Sequence, residues 1–215
     1  MSTEIVEARS EQDRQAVYAL RYAIYVEEMQ RPQPHADHEL RMLREPEDET
    51  AHLLLARNRT GEVVGTARVH LQEAIPSDLA EMYQMHVLEH FHTSQTSTVT
   101  KIMVDPAYRR SPLAFRLSQA CYDIGIAAGV SFNCIDCNVH LKSYFTQLGF
   151  RQISADFQHP LYGAVTPLVL ALRDYDYLQR IGSPFRLPAT RDPHPSVPFF
   201  HRLLSERHLH AEQTS

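Results

Sequence analysis

Apolar and polar positions along this chain follow two rhythms, and the places where one gives way to the other predict its elements. Residues 3–8 (TEIVEA) read as a short strand. Ser10 reads as the N-cap of a long helix in which Val17, Leu20, Ile24 and Met29 fall at helical spacing. His52–Arg57 and Val63–Leu71 are apolar runs around a turn, Asn58–Glu62, that contains Gly61, and together they predict a hairpin. A helix opens at Pro76 and Ser77 and runs to about His90, and a strand covers Thr98–Asp105. Pro112–Ala128 predicts a helix with Leu113, Leu117, Ala120, Cys121 and Ile124 on one face and Gly129 as its stop. Val130–Cys137 predicts a strand and Lys142–Leu148 a helix ending at Gly149. Phe150–Phe157 and Thr166–Leu172 predict a closing strand pair.

Two stretches lack either rhythm. Arg31–Glu49 holds three prolines, several charges and no period, which predicts a long loop, and such loops in compact domains are commonly functional. Beyond Asp174, prolines at 184, 188, 193, 195 and 198 predict an extended tail with a short helix at Phe199–His208. The expected organisation is therefore one domain over residues 1–175 and a Pro-rich C-terminal extension over 176–215, without an internal repeat. The order of strands and helices is a mixed α/β one, and its central strand–helix–strand unit requires a parallel pair with a crossover helix.

Composition narrows the classes. A chain of 215 residues that is 43% hydrophobic and 22% charged can bury a core and is not globally disordered. A net charge of -5 argues against general nucleic-acid binding. Cys121, Cys134 and Cys137 are an odd set without scaffold spacing, which points to reduced thiols in a cytosolic protein. The N-terminal MSTEIVEARSEQDR has no apolar stretch and reads as neither secretory signal nor membrane span. No apolar run nears the roughly 20 residues that a bilayer requires. The expectation is a soluble cytoplasmic protein with no integral membrane segment.

Candidate chemistry starts in TKIMVDPAYRRSPLAFRLSQ, residues 100–119. The strand Ile102-Met103-Val104 stops at Asp105-Pro106, and Arg109 and Arg110 precede the next helix. A helix N-terminus offers free N–H groups and partial positive charge, and adjacent guanidinium groups strengthen its hold on a phosphate. The competing reading is a pair of solvated surface charges. Cys134 and Cys137, three apart on a strand, point to opposite faces, and His86 with His90 has no evident third ligand, so no metal site is expected. There is no Gly-x-Ser-x-Gly elbow and no Walker loop.

The strand followed by Val-Asp-Pro-x-Tyr-Arg-Arg and a helix resembles the acyl-donor motif of the GNAT acyltransferase superfamily. In the usual frame (Arg or Gln, two residues, Gly, one residue, Gly or Ala) this chain reads Arg109-Arg110-Ser111-Pro112-Leu113-Ala114. Pro112 stands at the middle glycine and has no N–H, so one expected contact to a pyrophosphate is missing, although proline suits a first helical turn. NVHLKSYFTQLGF, from Asn138 to Phe150, is similar to the superfamily's closing strand–helix–strand segment. LRYAIYVEEM, the acidic loop and VVGTARVHL resemble the acyl-homoserine lactone synthases and, more closely, the N-acyl amino acid synthases. They match in Arg21 with Tyr25, in Glu45 with Asp48, and in Gly65 with Arg68. The lactone synthases' Glu-x-x-Arg reads Thr98-Val-Thr-Lys101 here, and the chain has no Trp. HPLYGAVTPLVLAL (His159–Leu172) resembles the synthases' closing hairpin, and the resemblance spans roughly residues 15–175.

The resemblance implies a GNAT fold: an α/β (α+β) architecture with a mixed twisted sheet flanked by helices and a splayed parallel strand pair. It implies an N-acyltransferase that moves a medium or long acyl chain from a thioester on acyl carrier protein to the amine of an amino acid. A backbone N–H around Met103 would polarise the thioester carbonyl, and Val104, Arg109, Arg110, Ser111, Leu113 and Ala114 would hold the phosphopantetheine. Glu45 and Asp48 would be bases or ammonium anchors, the other reading being a solvated acidic loop. Arg21 and Arg68, with Tyr25 and Lys101, would bind the acceptor carboxylate; the other reading is internal salt bridges to that loop. A tyrosine often protonates the departing thiolate in the superfamily; Phe145 takes that place here and Tyr144 lies one residue earlier. No tightly bound cofactor is expected, the donor being acyl carrier protein or acyl-CoA. Lys101, Arg109, Arg110, Arg116 and Lys142 around the turn favour the acidic carrier protein. The alternatives are a CoA-dependent acetyltransferase of a small amine or protein, and a non-catalytic acyl-thioester sensor.

Overall fold

The computed structural model of the chain describes residues 3–71, 74–91, 94–188 and 191–213. The chain divides into two compact units, residues 1–74 with 99–124 and residues 75–98 with 125–215.

The first unit starts with β1 (Glu4–Glu7) and α1 (Glu11–Tyr22). Ser10 caps α1 as its sequence predicts: its Oγ accepts from the Asp13 N–H (3.1 Å), and the Asp13 carboxylate accepts from the Ser10 N–H (3.3 Å). Val17 and Tyr18 on the inner face pack with Ala8, Leu53 and Leu55. The helix then widens into a π-helical turn, Ala23–Glu28, closed by the Met29 N–H on the Ile24 carbonyl (2.9 Å). The wider turn leaves the α-helical register. Leu20 and Ile24 stay buried, while Met29, expected on the same face, is 42% exposed.

The predicted loop Arg31–Glu49 contains the two-residue strands β2 (Ala36–Asp37) and β3 (Met42–Leu43) and a 3-10 turn, Pro46–Glu49. Pieces this short imprint no period on a sequence. β4 (His52–Arg57) and β5 (Val63–Leu71) form the predicted hairpin, with Leu53 opposite Arg68. β6 (Thr96–Val104) gives residues 99–104 to this unit, and α3 (Leu113–Ala127) follows. The strand order is β1-β4-β5-β6. Gly65 permits the close approach of these layers. A Cβ there would lie 3.1 Å from Leu117 Cδ1 and 3.3 Å from the Met103 carbonyl oxygen.

In the second unit the helix expected from Pro76 to His90 is broken. α2 (Ser77–Met82) ends early and a 3-10 segment covers Met85–Phe91, because Gln84 and Glu89 take left-handed φ values of 52° and 50°. Then come β7 (Phe132–Asn138), α4 (Lys142–Leu148), β8 (Arg151–Gln152), β9 (Phe157–His159), β10 (Gly163–Ala171), α5 (Tyr175–Arg180) and α6 (Ser196–Gln213). Residues 96–98 of β6 run parallel to β7 through three pairs, Thr96 with Phe132 to Thr98 with Cys134. This is the parallel pair that the central strand–helix–strand pattern requires. β10 runs antiparallel to β7, from Val165 opposite Asn138 to Ala171 opposite Phe132. The strand expected over Phe150–Phe157 is two short ones, both on β10: Arg151 opposite Val169, and Phe157 opposite Val165.

The Pro-rich tail ends in α6, longer at both ends than the expected Phe199–His208. Phe199 and Phe200 are core residues of the second unit, packed with Tyr83, Met85, Leu88, Phe91, Phe132 and Val169. Asp174 fixes the helix: its Oδ2 accepts from Arg151 Nη2 and from His201 Nε2, each at 2.7 Å. The Arg151 guanidinium lies 4.1 Å from the Tyr177 ring centre and 4.5 Å from that of Phe200. Cys121, Cys134 and Cys137 are buried free thiols. Among the described residues no helix is long and apolar enough to cross a membrane.

Candidate functional site

Five charged side chains of the first unit meet in its interior. Local chemistry places two of them. Glu45 caps the 3-10 turn, Pro46 opens it, and Asp48 Oδ2 accepts from the Glu45 N–H (2.8 Å). The three-residue spacing of the carboxylates is thus a capping spacing, which turns both to one side. From α1, Arg21 Nη1 donates to both Asp48 carboxylate oxygens (2.8 and 2.9 Å). From β5, Arg68 Nη1 donates to Glu45 Oε2 (2.7 Å) and Asp48 Oδ1 (3.2 Å), while its Nε donates to Thr100 Oγ1 (2.9 Å). From β6, Lys101 Nζ donates to Glu45 Oε1 (2.8 Å) and lies 4.9 Å from the Tyr25 ring centre.

Lys101 reaches Glu45 from a strained backbone. Its φ of 56° is left-handed inside a strand. Such a conformation costs a residue with a Cβ about 1–3 kcal/mol and persists only where its surroundings hold it.

Burial changes what these groups can do. The side chains of Arg21 and Asp48 are 0% exposed, those of Lys101 and Arg68 5%, and that of Glu45 9%. A solvated acidic loop is therefore the wrong picture for Glu45 and Asp48, though it describes Glu49. Burial alone would raise the Glu45 carboxyl, but Lys101 and Arg68 beside it hold it below its ordinary value. Asp48 is held low in the same way by Arg21 and Arg68 against the pull of burial. Burial lowers the Lys101 ammonium to about 8, with Arg68 adding to the drop and Glu45 opposing it. The Arg68 guanidinium is raised, the carboxylates of Glu45, Asp48 and Glu47 outweighing its burial. His70, near the same turn at 2.9 Å from the Glu47 carbonyl, is pushed down by burial.

Three cations face two carboxylates in this cluster. Glu47 adds a third acid at ion-pair distance: its buried Oε2 is 3.8 Å from Arg68 Nη1. Arg21 Nε and Nη2 are buried without a hydrogen-bond partner among the described residues. They form one edge of the guanidinium, the edge that fits a carboxylate through two parallel hydrogen bonds.

The turn that opens α3 lies in the same unit. Asp105 accepts from the Ala107 N–H (2.9 Å) and stops β6, and Ser111 Oγ accepts from the Leu113 N–H (3.3 Å) at the helix start. Arg109 folds back: its Nε donates to the Val104 carbonyl (3.1 Å), and its two terminal nitrogens grip the two oxygens of Glu28 at 2.5 and 2.6 Å. Both partners are partly exposed, and the shared hydrogen bonds lower Glu28 and raise Arg109. Arg110 is exposed, while Arg116 donates to the Thr3 carbonyl (2.8 Å). Lys101 does not belong to a basic outer surface around this turn, because it is buried against Glu45.

The remaining expected residues are placed as follows. Met103 is buried with Leu20 and Ile24. Tyr144 is half-buried in the second unit, its ring edge-on to Phe145 at 5.0 Å. Glu28, Thr100 and Arg14, which donates to the Asp48 carbonyl at 2.6 Å, join these networks without any signal in the sequence. Only tertiary folding brings residues 28 and 109 together.

Solved structures share this architecture. FeeM, an N-acyl amino acid synthase from uncultured soil microbes, superposes with a TM-score of 0.64 at 16% identity, over 81% of this chain and 93% of that one. The CoA-dependent acyl-homoserine lactone synthase BjaI gives 0.63 at 18% identity, over 94% of this chain and 98% of that one. The acyl-homoserine lactone synthase LasI gives 0.62 at 10% identity, over 80% and 90%. No curated protein matches the sequence. At these identities the superpositions establish the fold, a GNAT-like one with a mixed sheet. The sequence goes further: the family model for the N-acyl amino acid synthase FeeM matches residues 16–174. The chain belongs to that family and is an N-acyltransferase.

Proposed function

We propose that the protein joins a medium or long fatty acyl chain, delivered as a thioester on acyl carrier protein, to the amine of an amino acid. The observation that carries this reading is the unpartnered Arg21 edge inside the buried cluster of Arg21, Arg68 and Lys101 with their carboxylates. A guanidinium edge of that kind suits an α-carboxylate, which reaches it only when the side chains covering Arg21 move aside, since Arg21 is closed to solvent in this structure. Arg68, Tyr25 and Lys101 complete the acceptor side. Glu45 and Asp48 anchor the cations and draw in the acceptor's ammonium.

The donor side is the turn from Val104 to Ala114. Arg109 and Arg110 meet the phosphate of the pantetheine arm, helped by Ser111 and the first N–H groups of α3 at Leu113 and Ala114. The Met103 backbone polarises the thioester carbonyl. Pro112 removes one N–H from the turn. That loss matters less for a carrier-borne arm, which lacks the nucleotide part of CoA. BjaI, described as CoA-dependent, keeps acyl-CoA open as the rival donor.

The test is to incubate the purified protein with long-chain acyl carrier protein and an amino-acid mixture, in parallel with long-chain acyl-CoA and acetyl-CoA, and to read products by mass. A long-chain N-acyl amino acid from the carrier-protein arm is expected. Turnover with acetyl-CoA alone would replace this reading with that of a small-group acetyltransferase, and donor binding without turnover would leave a sensor.

A further inference from the structure

An amino acid enters an acyl transfer as an ammonium and must lose a proton before its nitrogen can attack. The cluster restricts which side chain can take it. A guanidinium cannot act as a base, which removes Arg21 and Arg68. Glu45 carries Lys101 on one oxygen and Arg68 on the other. Asp48 carries Arg21 on both oxygens, Arg68 on one of them and the Glu45 N–H on the other. Carboxylates so filled with donors are poor proton acceptors, as their lowered values express.

Lys101 differs on three counts. It is an amine, so its neutral form has a lone pair. Its side chain, like those of Glu45 and Arg68, keeps a small exposure, where Arg21 and Asp48 keep none. Its strand is bent into a left-handed conformation at that residue alone, which turns Nζ inward to Glu45 rather than along the pleat. The charged and aromatic groups around it come from four elements: Glu45 on the 3-10 turn, Arg68 on β5, Arg21 on α1, and the Tyr25 ring on the π-helical turn. Burial and the two arginines disfavour a third cation, Glu45 favours it, and the ammonium falls to about 8.

Resting on the function proposed above, we propose that Lys101 is the group that accepts the proton of the incoming ammonium, with Glu45 holding its Nζ in place. The ammonium N–H bond breaks toward Lys101 Nζ, which becomes an ammonium, and the electron pair stays on the acceptor nitrogen. That pair attacks the thioester carbonyl carbon. The C–S bond then breaks with its electrons going to sulfur, the thiolate takes the second nitrogen-bound proton, and Lys101 returns its proton to solvent.

The decisive variant is Lys101→Arg, which keeps the positive charge and the ion pair to Glu45 but cannot become neutral. Wild-type turnover should rise with pH to a plateau with a midpoint near 8. In K101R, kcat should fall by about 100-fold or more, the rise should vanish, and KM for the amino acid should change little. A K101R enzyme with the wild-type rate and the wild-type pH rise overturns the proposal. NMR of ε-labelled lysine, with the Lys101 signal assigned by its loss in K101R, reports the titration without turnover; a midpoint at 10 or above also overturns it. If the wild-type protein makes no acyl amino acid at all, the function proposed above fails by that product assay, while the NMR titration judges the lysine independently.

Discussion

Asp48 is the residue on which the buried cluster depends. Removing one partner of such a network strands the charges opposite it, which costs about 3–5 kcal/mol. Asp48→Ala should therefore lower unfolding free energy by that much in a urea titration, well beyond the cost of a surface change. The cluster also sets the acid limit. Glu45 and Asp48 have folded values below their unfolded ones, so their stabilisation is complete above the ordinary carboxylate range and drains away as pH falls through the lowered values. Melting temperature followed from pH 6 downward should thus drop on the acid side, and D48N should flatten that drop. Arg109 poses the opposite case. Its pair with Glu28 is exposed enough to contribute about 0–1 kcal/mol, so Arg109→Ala should leave melting nearly unchanged while weakening donor binding about tenfold or more. Equal losses of stability and binding would remove the arginine from the donor site. The carboxylates, arginines and lysine could be picked out from sequence because their spacing matches a family pattern. Whether Glu45 and Asp48 were solvated or buried could not, since that depends on α1, β5 and β6 closing over one short turn.

Elements were legible wherever apolar period and stop signals agreed. Ser10 capped α1, Asn58–Glu62 turned the hairpin, and Gly149 ended α4 where expected. The misses have a common physical cause: a local backbone departure with no compositional mark. The π-helical turn swung Met29 to solvent, left-handed Gln84 and Glu89 split the second helix, and the run after Gly149 paired twice with β10 instead of once. Gly149 itself makes a sharp prediction. With a φ of 115° and a Cβ position that collides with Leu178 Cδ2, Gly149→Ala should destabilise the protein by more than about 1 kcal/mol. Gly61, also left-handed at 87° but with open space around its Cβ position, is the control whose alanine variant should cost less. Thermal melts of the two variants side by side decide the point.

At the scale of the molecule, the alternation of strands and helices was enough to predict a mixed α/β fold with a parallel pair. The tail was read in part: the helix expected at Phe199–His208 is there, but the prolines between residues 184 and 198 gave no sign that it starts at Ser196 or that Phe199 and Phe200 enter a core. Truncation before Ser196 should expose the core positions now filled by Phe199 and Phe200 and cost about 3–5 kcal/mol for each ring lost, giving a large drop in melting temperature and binding of a dye that reports exposed apolar surface. A truncated chain that melts like the full one would show that the rings contribute nothing to that core. Those two rings also bear on how the protein is made. Every residue of the first unit has been synthesised by position 124, whereas the core of the second needs side chains at 199 and 200. On the ribosome, then, one half can mature while the other waits with greasy surface uncovered, and that interval is when a chaperone has most to protect.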